Sequence, residues 1–125
     1  MKYVVLIYSN AESRKIWQSF PAQARAAGLA EYQALNDELA GSGEMIMSQA
    51  LADPGAAKRV LVRDGRAMAT DGPFAEVKEH LAGFYLLELA SEERAVEIAG
   101  RLPEAGLGLV EVRPVRELDD LTQWT

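Results

Sequence analysis

The chain contains no cysteine. Disulfides, thiolate nucleophiles and cysteine-ligated zinc are therefore excluded outright. Histidine is nearly as scarce, with His80 alone. No His-Glu-x-x-His run or clustered His/Asp set exists, so no structural or catalytic metal is expected. No glycine-rich phosphate loop follows a strand-like run, and no other cofactor is implied. Ser9 and Ser48 have no histidine whose spacing marks it as an activator, so a serine hydrolase has no support. Positive charge is also short: 13 Lys and Arg stand against 19 Asp and Glu, giving a net charge of −6 and a pI of about 4.8. Nucleic-acid binders draw much of their affinity from cations that neutralise phosphates. Here no run of bases exceeds two residues, so DNA or RNA is not expected as a direct partner. The opening apolar run is far shorter than the roughly 20 residues that span a bilayer, and it lacks the length and cleavage site of a signal peptide. A cytoplasmic protein without a membrane segment is the expectation.

What is present is enough for one domain over residues 1–125, large enough to bury a core without covalent staples. Tyr3 to Tyr8 is apolar at every position and reads as a central strand with both faces covered. Ser9 to Phe20 reads as polar and irregular, with one helical turn around Trp17. Pro21 opens a helix, a position where its missing N–H costs nothing. Ala24, Gly28, Tyr32, Leu35 and Leu39 give that helix one apolar stripe, and Gly41-Ser42-Gly43 ends it. Glu44 to Leu51 is a second strand, followed by an Asp53-Pro54-Gly55 turn. Arg59 to Arg63 and Arg66 to Thr70 flank Asp64-Gly65, a strong hairpin signal. Gly83 to Leu89 is a buried strand.

Ser91 caps a further helix whose first turn holds Glu92 and Glu93. Ala95, Ile98 and Leu102 form its buried stripe, and Pro103 stops it. Leu109 to Val115 is a last strand whose Pro114 suggests an edge, and a polar tail carries Trp124. Set apart from the small hairpin, the order is the β-α-β-β-α-β of a ferredoxin-like α+β domain. In that fold both helices cover one face of the sheet. Val4, Leu6 and Tyr8 would then leave an apolar patch on the other, which predicts a homodimer with the open faces packed together.

One stretch gathers most of the chemistry: Thr70-Asp71-Gly72-Pro73-Phe74-Ala75-Glu76, then Lys78-Glu79-His80. With Gly83-Phe84-Tyr85 it closely resembles the signature of the DGPF group within the YCII-related family. The opening Lys2-Tyr3-Val4, the hairpin run Val62-Arg63-Asp64-Gly65 and the closing Val110-Glu111-Val112-Arg113-Pro114 extend the resemblance over almost the whole chain. It implies a ferredoxin-like fold that dimerises as an α+β barrel. It implies little about reaction: some members are suspected enzymes with a His–Asp pair, and one removes chloride from a chlorinated hydroxyquinol. Members of the group often occur beside sigma factors of the extracytoplasmic-function type. This chain departs from the His–Asp pattern, having no histidine in the first helix region, so the dyad does not transfer. Asp71 matches the family's aspartate.

The candidate residues each have two readings. Asp71-Gly72-Pro73 is a natural turn, in which aspartate bonds its own backbone two residues on, glycine permits a positive φ and Phe74 anchors the turn in the core. The functional alternative holds the Asp71 carboxylate at the mouth of a dimer cleft, where burial raises its pKa and makes it a general base or acid. Lys78, Glu79 and His80 are either a solvated connection or, if extended, a site with Lys78 and His80 on one face and Glu79 on the other. In that site Lys78 would hold an anion and His80 would relay protons. Glu111 and Arg113 share one strand face opposite Val110 and Val112. They are edge salt-bridge formers or, for Arg113, a bidentate carboxylate holder. The leading expectation is a small organic ligand, aromatic or anionic, bound near Asp71 and Phe74, with cofactor-independent acid–base chemistry of the lyase or isomerase kind. The second is a non-catalytic regulatory module, associated with a sigma factor.

Overall fold

In the computed structural model, which describes residues 1–74 and 76–123, alternation along β1 (Lys2–Ser9) sets up the domain. Tyr3, Val5 and Ile7 are buried, whereas Val4, Leu6 and Tyr8 on the opposite face are half-buried. β1 lies between β5 (His80–Glu88) and β6 (Val110–Pro114), and β2 (Met45–Ala50) pairs with the far side of β5. All pairings are antiparallel, and the order β2-β5-β1-β6 is that of a ferredoxin-like sheet. β1 is central and Pro114 sits on an edge strand, as the patterns predict.

The helices α1 (Ala11–Ser19), α2 (Ala22–Ser42) and α3 (Glu92–Gly100) complete the fold. Leu35 and Leu39 of α2 and Ala95 and Ile98 of α3 pack with Val5, Tyr85 and Leu87 in one core. Burial of such side chains is the main favourable term in the fold, at roughly 1.5–3 kcal/mol each. The stripe expected along α2 is buried only at Leu35 and Leu39; Ala24 and Leu29 in its first turns are exposed. Gly28 there faces the Trp17 ring, which an added Cβ would approach to 3.4 Å. Pro21 is the N-cap of α2, and Gly43 closes it at φ 80° with its N–H donating to the Ala40 carbonyl.

The segment read as irregular is in fact the two-and-a-half turns of α1. Its start is a reciprocal capping box: the Ser13 N–H donates to Asn10 Oδ1 at 2.7 Å, and the Asn10 N–H donates to Ser13 Oγ at 2.9 Å. The two polar residues that made the stretch look like a loop are the ones that nucleate the helix. Ser91 caps α3 as expected, accepting from the Arg94 N–H at 3.2 Å. That helix ends at Gly100, and Pro103 opens a 3-10 turn, Pro103–Leu107, rather than acting as the stop. Glu44, at the entrance to β2, takes the guanidinium of Arg94 at 2.9 Å and so ties the sheet edge to α3. That contact, with a hydrogen bond from Ser42, lowers the Glu44 pKa from 4.5 to about 2.

β3 (Lys58–Arg63) and β4 (Arg66–Asp71) form a separate two-stranded sheet in which every residue is exposed. Asp64 and Gly65 at its tip have φ of 53° and 73°, as a type I′ turn requires. Glycine is needed once more, at Gly83, where an added Cβ would lie 2.9 Å from the Gln49 carbonyl oxygen. The closing strand is followed by a 3-10 turn, Leu118–Gln123, while Trp124 lies outside the described residues. Among the described residues no helix is long and apolar enough to cross a membrane.

Candidate functional site

The entrance to β5 is where the sheet, the hairpin and the signature meet. The β1–β5 register slips between Ile7, opposite Gly83, and Tyr8, opposite Leu81, so that His80 pairs with Ser9. β2 runs on from the same end of the sheet, and the Leu51 N–H donates to the Ala82 carbonyl at 2.8 Å. Between the segment after β2 and the segment before β5 lies a cleft of about 410 Å³. Leu51, Pro54, Ala57, Phe74, Val77 and Leu81 give it apolar walls, with Asp53, Glu79 and His80 as the titratable groups. Small-ligand sites are of this kind, mostly apolar with a few polar groups that fix orientation.

His80 is half-buried, and its Nδ1 is buried without a hydrogen-bond partner among the described residues. Buried polar atoms are satisfied in the great majority of native structures, so each exception calls for a reason. Glu79 lines this cleft and also a second one of about 300 Å³, with Tyr8, Gly108, Val110 and Glu111. There the Tyr8 hydroxyl donates to Glu111 Oε1 at 3.0 Å. Burial, that hydrogen bond and the nearby charges of Glu111 and Glu79 push the Tyr8 pKa up, against an opposing pull from Arg113. The phenol is therefore held as a proton donor. Tyr8 and the loop Leu51–Ala57 were not singled out as site residues from the sequence. The usable signal for Tyr8 was its place on the same sheet face as Glu111 and Arg113.

The signature residues fall in three places. Asp71 ends β4, and its carboxylate accepts from the Lys58 ammonium across the hairpin. Its side chain is 87% exposed and lines neither cleft. Gly72 takes φ 83° and donates its N–H to the Ala57 carbonyl at 2.8 Å, so the signature is a turn that ties the hairpin base to the loop after β2. The expected bond from the Asp71 side chain to the backbone two residues on is not made, because that residue is Pro73 and has no N–H. Phe74 does not anchor the turn in the core either. It is 53% exposed, forms part of the cleft wall and carries the Arg59 guanidinium 4.4 Å above its ring.

Lys78 is exposed and lines neither cleft. The expected alternation of Lys78 and His80 against Glu79 also fails, because the chain bends at Lys78 and Glu79 before β5 begins, which brings Glu79 and His80 to the same cleft. Arg113 lies on the exposed side of β6, in register with Val4, sharing a face with Glu111 as the sequence predicts. Ala75 of the signature lies outside the described residues. Among the described residues no three His, Asp or Glu side chains converge as a metal site would need.

These observations define a ferredoxin-like α+β domain with a cleft at the base of an inserted hairpin. The chain belongs to the YCII-related family, whose model matches residues 1–119. It is 31% identical over 117 residues to an uncharacterised protein of Rhizobium meliloti (strain 1021), a match covering 92% of each chain. Its fold is similar to that of the 5-chloro-2-hydroxyhydroquinone dehydrochlorinase of Burkholderia phenoliruptrix AC1100, solved in complex with 2,5-dihydroxybenzoquinone. That likeness has a TM-score of 0.50 and 14% identity over 95% of this chain and 97% of the other.

Proposed function

We propose that this protein binds a small organic molecule in the cleft beside His80 and acts on it by cofactor-independent proton transfer. The observation that carries this reading is His80, half-buried in the wall of an apolar-lined cleft of ligand size, with a buried Nδ1 that has no partner among the described residues. That atom is closed to solvent, so a ligand hydroxyl would meet it, and remove the cost of leaving it unpaired, once the ring turned towards the cleft. An imidazole can take a proton at one ring nitrogen and return it, and Glu79 stands in the same cleft to receive or orient it. Phe74 offers a ring face to a planar ligand. Asp71 acts through the turn it stabilises with Lys58, Lys78 precedes the cleft-lining Glu79 without lining the cleft itself, and Arg113 acts on Tyr8 of the neighbouring cleft through its charge. The dihydroxybenzoquinone held by the structurally similar dehydrochlorinase makes phenols and hydroxyquinols the first class to test, and elimination or isomerisation the first reactions.

The same reading has the protein working as a homodimer. Val4 and Leu6 of β1 and Phe84 and Leu86 of β5 are only half-buried on the sheet face that no helix covers, and Met47 of β2 beside them is exposed. The test is a thermal-shift screen against phenols, hydroxyquinols, aromatic acids and keto acids, with wild type, His80→Gln and Asp71→Asn side by side. A ligand that binds only the native state raises the melting temperature by mass action. The expected result is a hit lost in His80→Gln and weakened in Asp71→Asn, with both variants folded. Hits indifferent to His80, or none, would overturn this reading and leave a regulatory module acting with a partner such as a sigma factor.

A further inference from the structure

Three consecutive residues at the base of the hairpin each hold one residue of the signature. The Ala57 carbonyl accepts the Gly72 N–H at 2.8 Å, the Lys58 ammonium pairs with the Asp71 carboxylate, and the Arg59 guanidinium lies 4.4 Å above the Phe74 ring. Neighbouring strand residues point to opposite faces, and Lys58 is in register with Asp71 while Arg59 is in register with Thr70. The two charged grips therefore start from opposite faces of β3. Between them Gly72, at φ 83°, reverses the chain, and Pro73 restricts its exit towards Phe74.

Phe74 is not held by the core. It is 53% exposed and outside the core cluster, and no other ring or cation touches it among the described residues. Its carbonyl accepts the Val77 N–H at 3.2 Å, which ties the backbone and leaves the ring free to turn. Yet Phe74, Val77 and Ala57 all line the His80 cleft. An exposed side chain changes rotamer on the picosecond-to-nanosecond scale. A wall so mobile has to be ordered each time a ligand binds, and that ordering weakens affinity.

We infer that Arg59 is the positioning residue of this wall: it fixes the Phe74 ring before a ligand arrives, and so sets affinity in the cleft without lining it. The inference rests on the cleft reading above and deepens it. Arg59 lines neither cleft, so its effect on a ligand runs through Phe74. Arginine suits the task better than lysine, because a planar, weakly hydrated guanidinium stacks flat on a ring. The arrangement also gives the hairpin, exposed at all 12 strand residues, a task in its own chain. Its ladder sets Lys58 and Arg59 opposite Asp71 and Thr70, at the entrance to the signature.

Hydroquinone serves as the probe, with binding read by isothermal titration calorimetry. Arg59→Leu should raise its Kd roughly three- to fivefold, the size of one exposed cation–π contact, with the melting temperature unchanged because Arg59 is exposed. Arg59→Lys keeps a cation over the ring and should return Kd to within about twofold of wild type. Arg59→Leu/Phe74→Leu should bind no more weakly than Phe74→Leu alone, since the two side chains act as one unit. Without any ligand, the ring current should move the Arg59 side-chain protons upfield in the NMR spectrum, and Phe74→Leu should abolish that shift. Equal affinity in wild type and Arg59→Leu, additive losses in the double variant, or Arg59 protons at their ordinary positions would each overturn the role of Arg59 and leave the cleft reading standing. Failure of hydroquinone to bind wild type would overturn the role of Arg59 in binding it, and failure of the whole phenol screen would overturn the cleft reading as well.

Discussion

β5 and the β3–β4 hairpin both carry apolar residues along their strands, and the fold treats them in opposite ways. Leu87 and Tyr85 of β5 are closed in by β1, β2 and both core helices, at 0% and 3% exposure. Val60, Leu61, Val62 and Met68 of the hairpin are each at least half exposed. An apolar run alone thus says that a segment seeks a partner, not that its own chain supplies one. In β5 the partner is intramolecular and the side chains alternate between a buried and a half-buried face. In the hairpin, and on the open face of the sheet, the surface stays uncovered within one chain.

The sharpest way to break this contrast is by truncation. Ile98→Ala, at a fully buried position, should cost about 2–5 kcal/mol in denaturant unfolding. Leu61→Ala should cost within about 0.5 kcal/mol under conditions where the protein is monomeric. Comparable losses at both positions would show that the hairpin is packed in its own chain. A smaller effect separates the two sheets at the backbone. Gly83→Ala pushes a methyl against the Gln49 carbonyl and should destabilise by about 1–3 kcal/mol. Ala69→Val on the open hairpin should change stability by no more than about 0.5 kcal/mol.

Two pH profiles sharpen the picture of what holds the packed half together. The Glu44 pKa is depressed in the folded protein, so its contribution is complete above its ordinary 4.5 and is lost as pH falls towards about 2. Acid titration of stability should therefore be shallower in Glu44→Gln over that window, as read by melting temperature. The opposite sign holds for Tyr32. Burial first, then its hydrogen bond to the Glu104 carboxylate, raises its pKa above 10.0, and Tyr85 is raised by burial and by the Glu104 charge. Their contribution is present below pH 10 and is lost as pH rises beyond it. Tyr32→Phe should flatten the alkaline limb in part, since Tyr85 still contributes there.

Local chemistry was legible in the sequence wherever a few neighbouring residues decide the conformation. Asp64-Gly65 marked the hairpin, Ser91 marked the start of α3, and Gly43 marked the end of α2. The errors each have one cause. Asn10 and Ser13 looked like loop residues because each is polar, although their reciprocal bonds start α1. Asp71-Gly72-Pro73 looked like a side-chain-capped turn, although Pro73 removes the donor and Lys58 takes the carboxylate instead. Phe74 was sent to the core by its type, whereas its position at the hairpin base makes it a cleft wall. Tyr8 was read as part of the apolar patch and not as a site residue, because its partner Glu111 is 103 residues away.

By itself the sequence determined the family signature, the order of the strands and of the two core helices and the class of fold, since capping, turn chemistry and apolar alternation act over a few residues. Only the tertiary structure decided which of the signature's groups share a cleft. It gathered Glu79, His80 and Phe74 through the bend before β5, brought up the Leu51–Ala57 loop, and left Asp71 and Lys78 outside. That choice depends on strand register and on a slip between Ile7 and Tyr8. Such features arise from packing between distant segments, and no run of neighbouring residues encodes them.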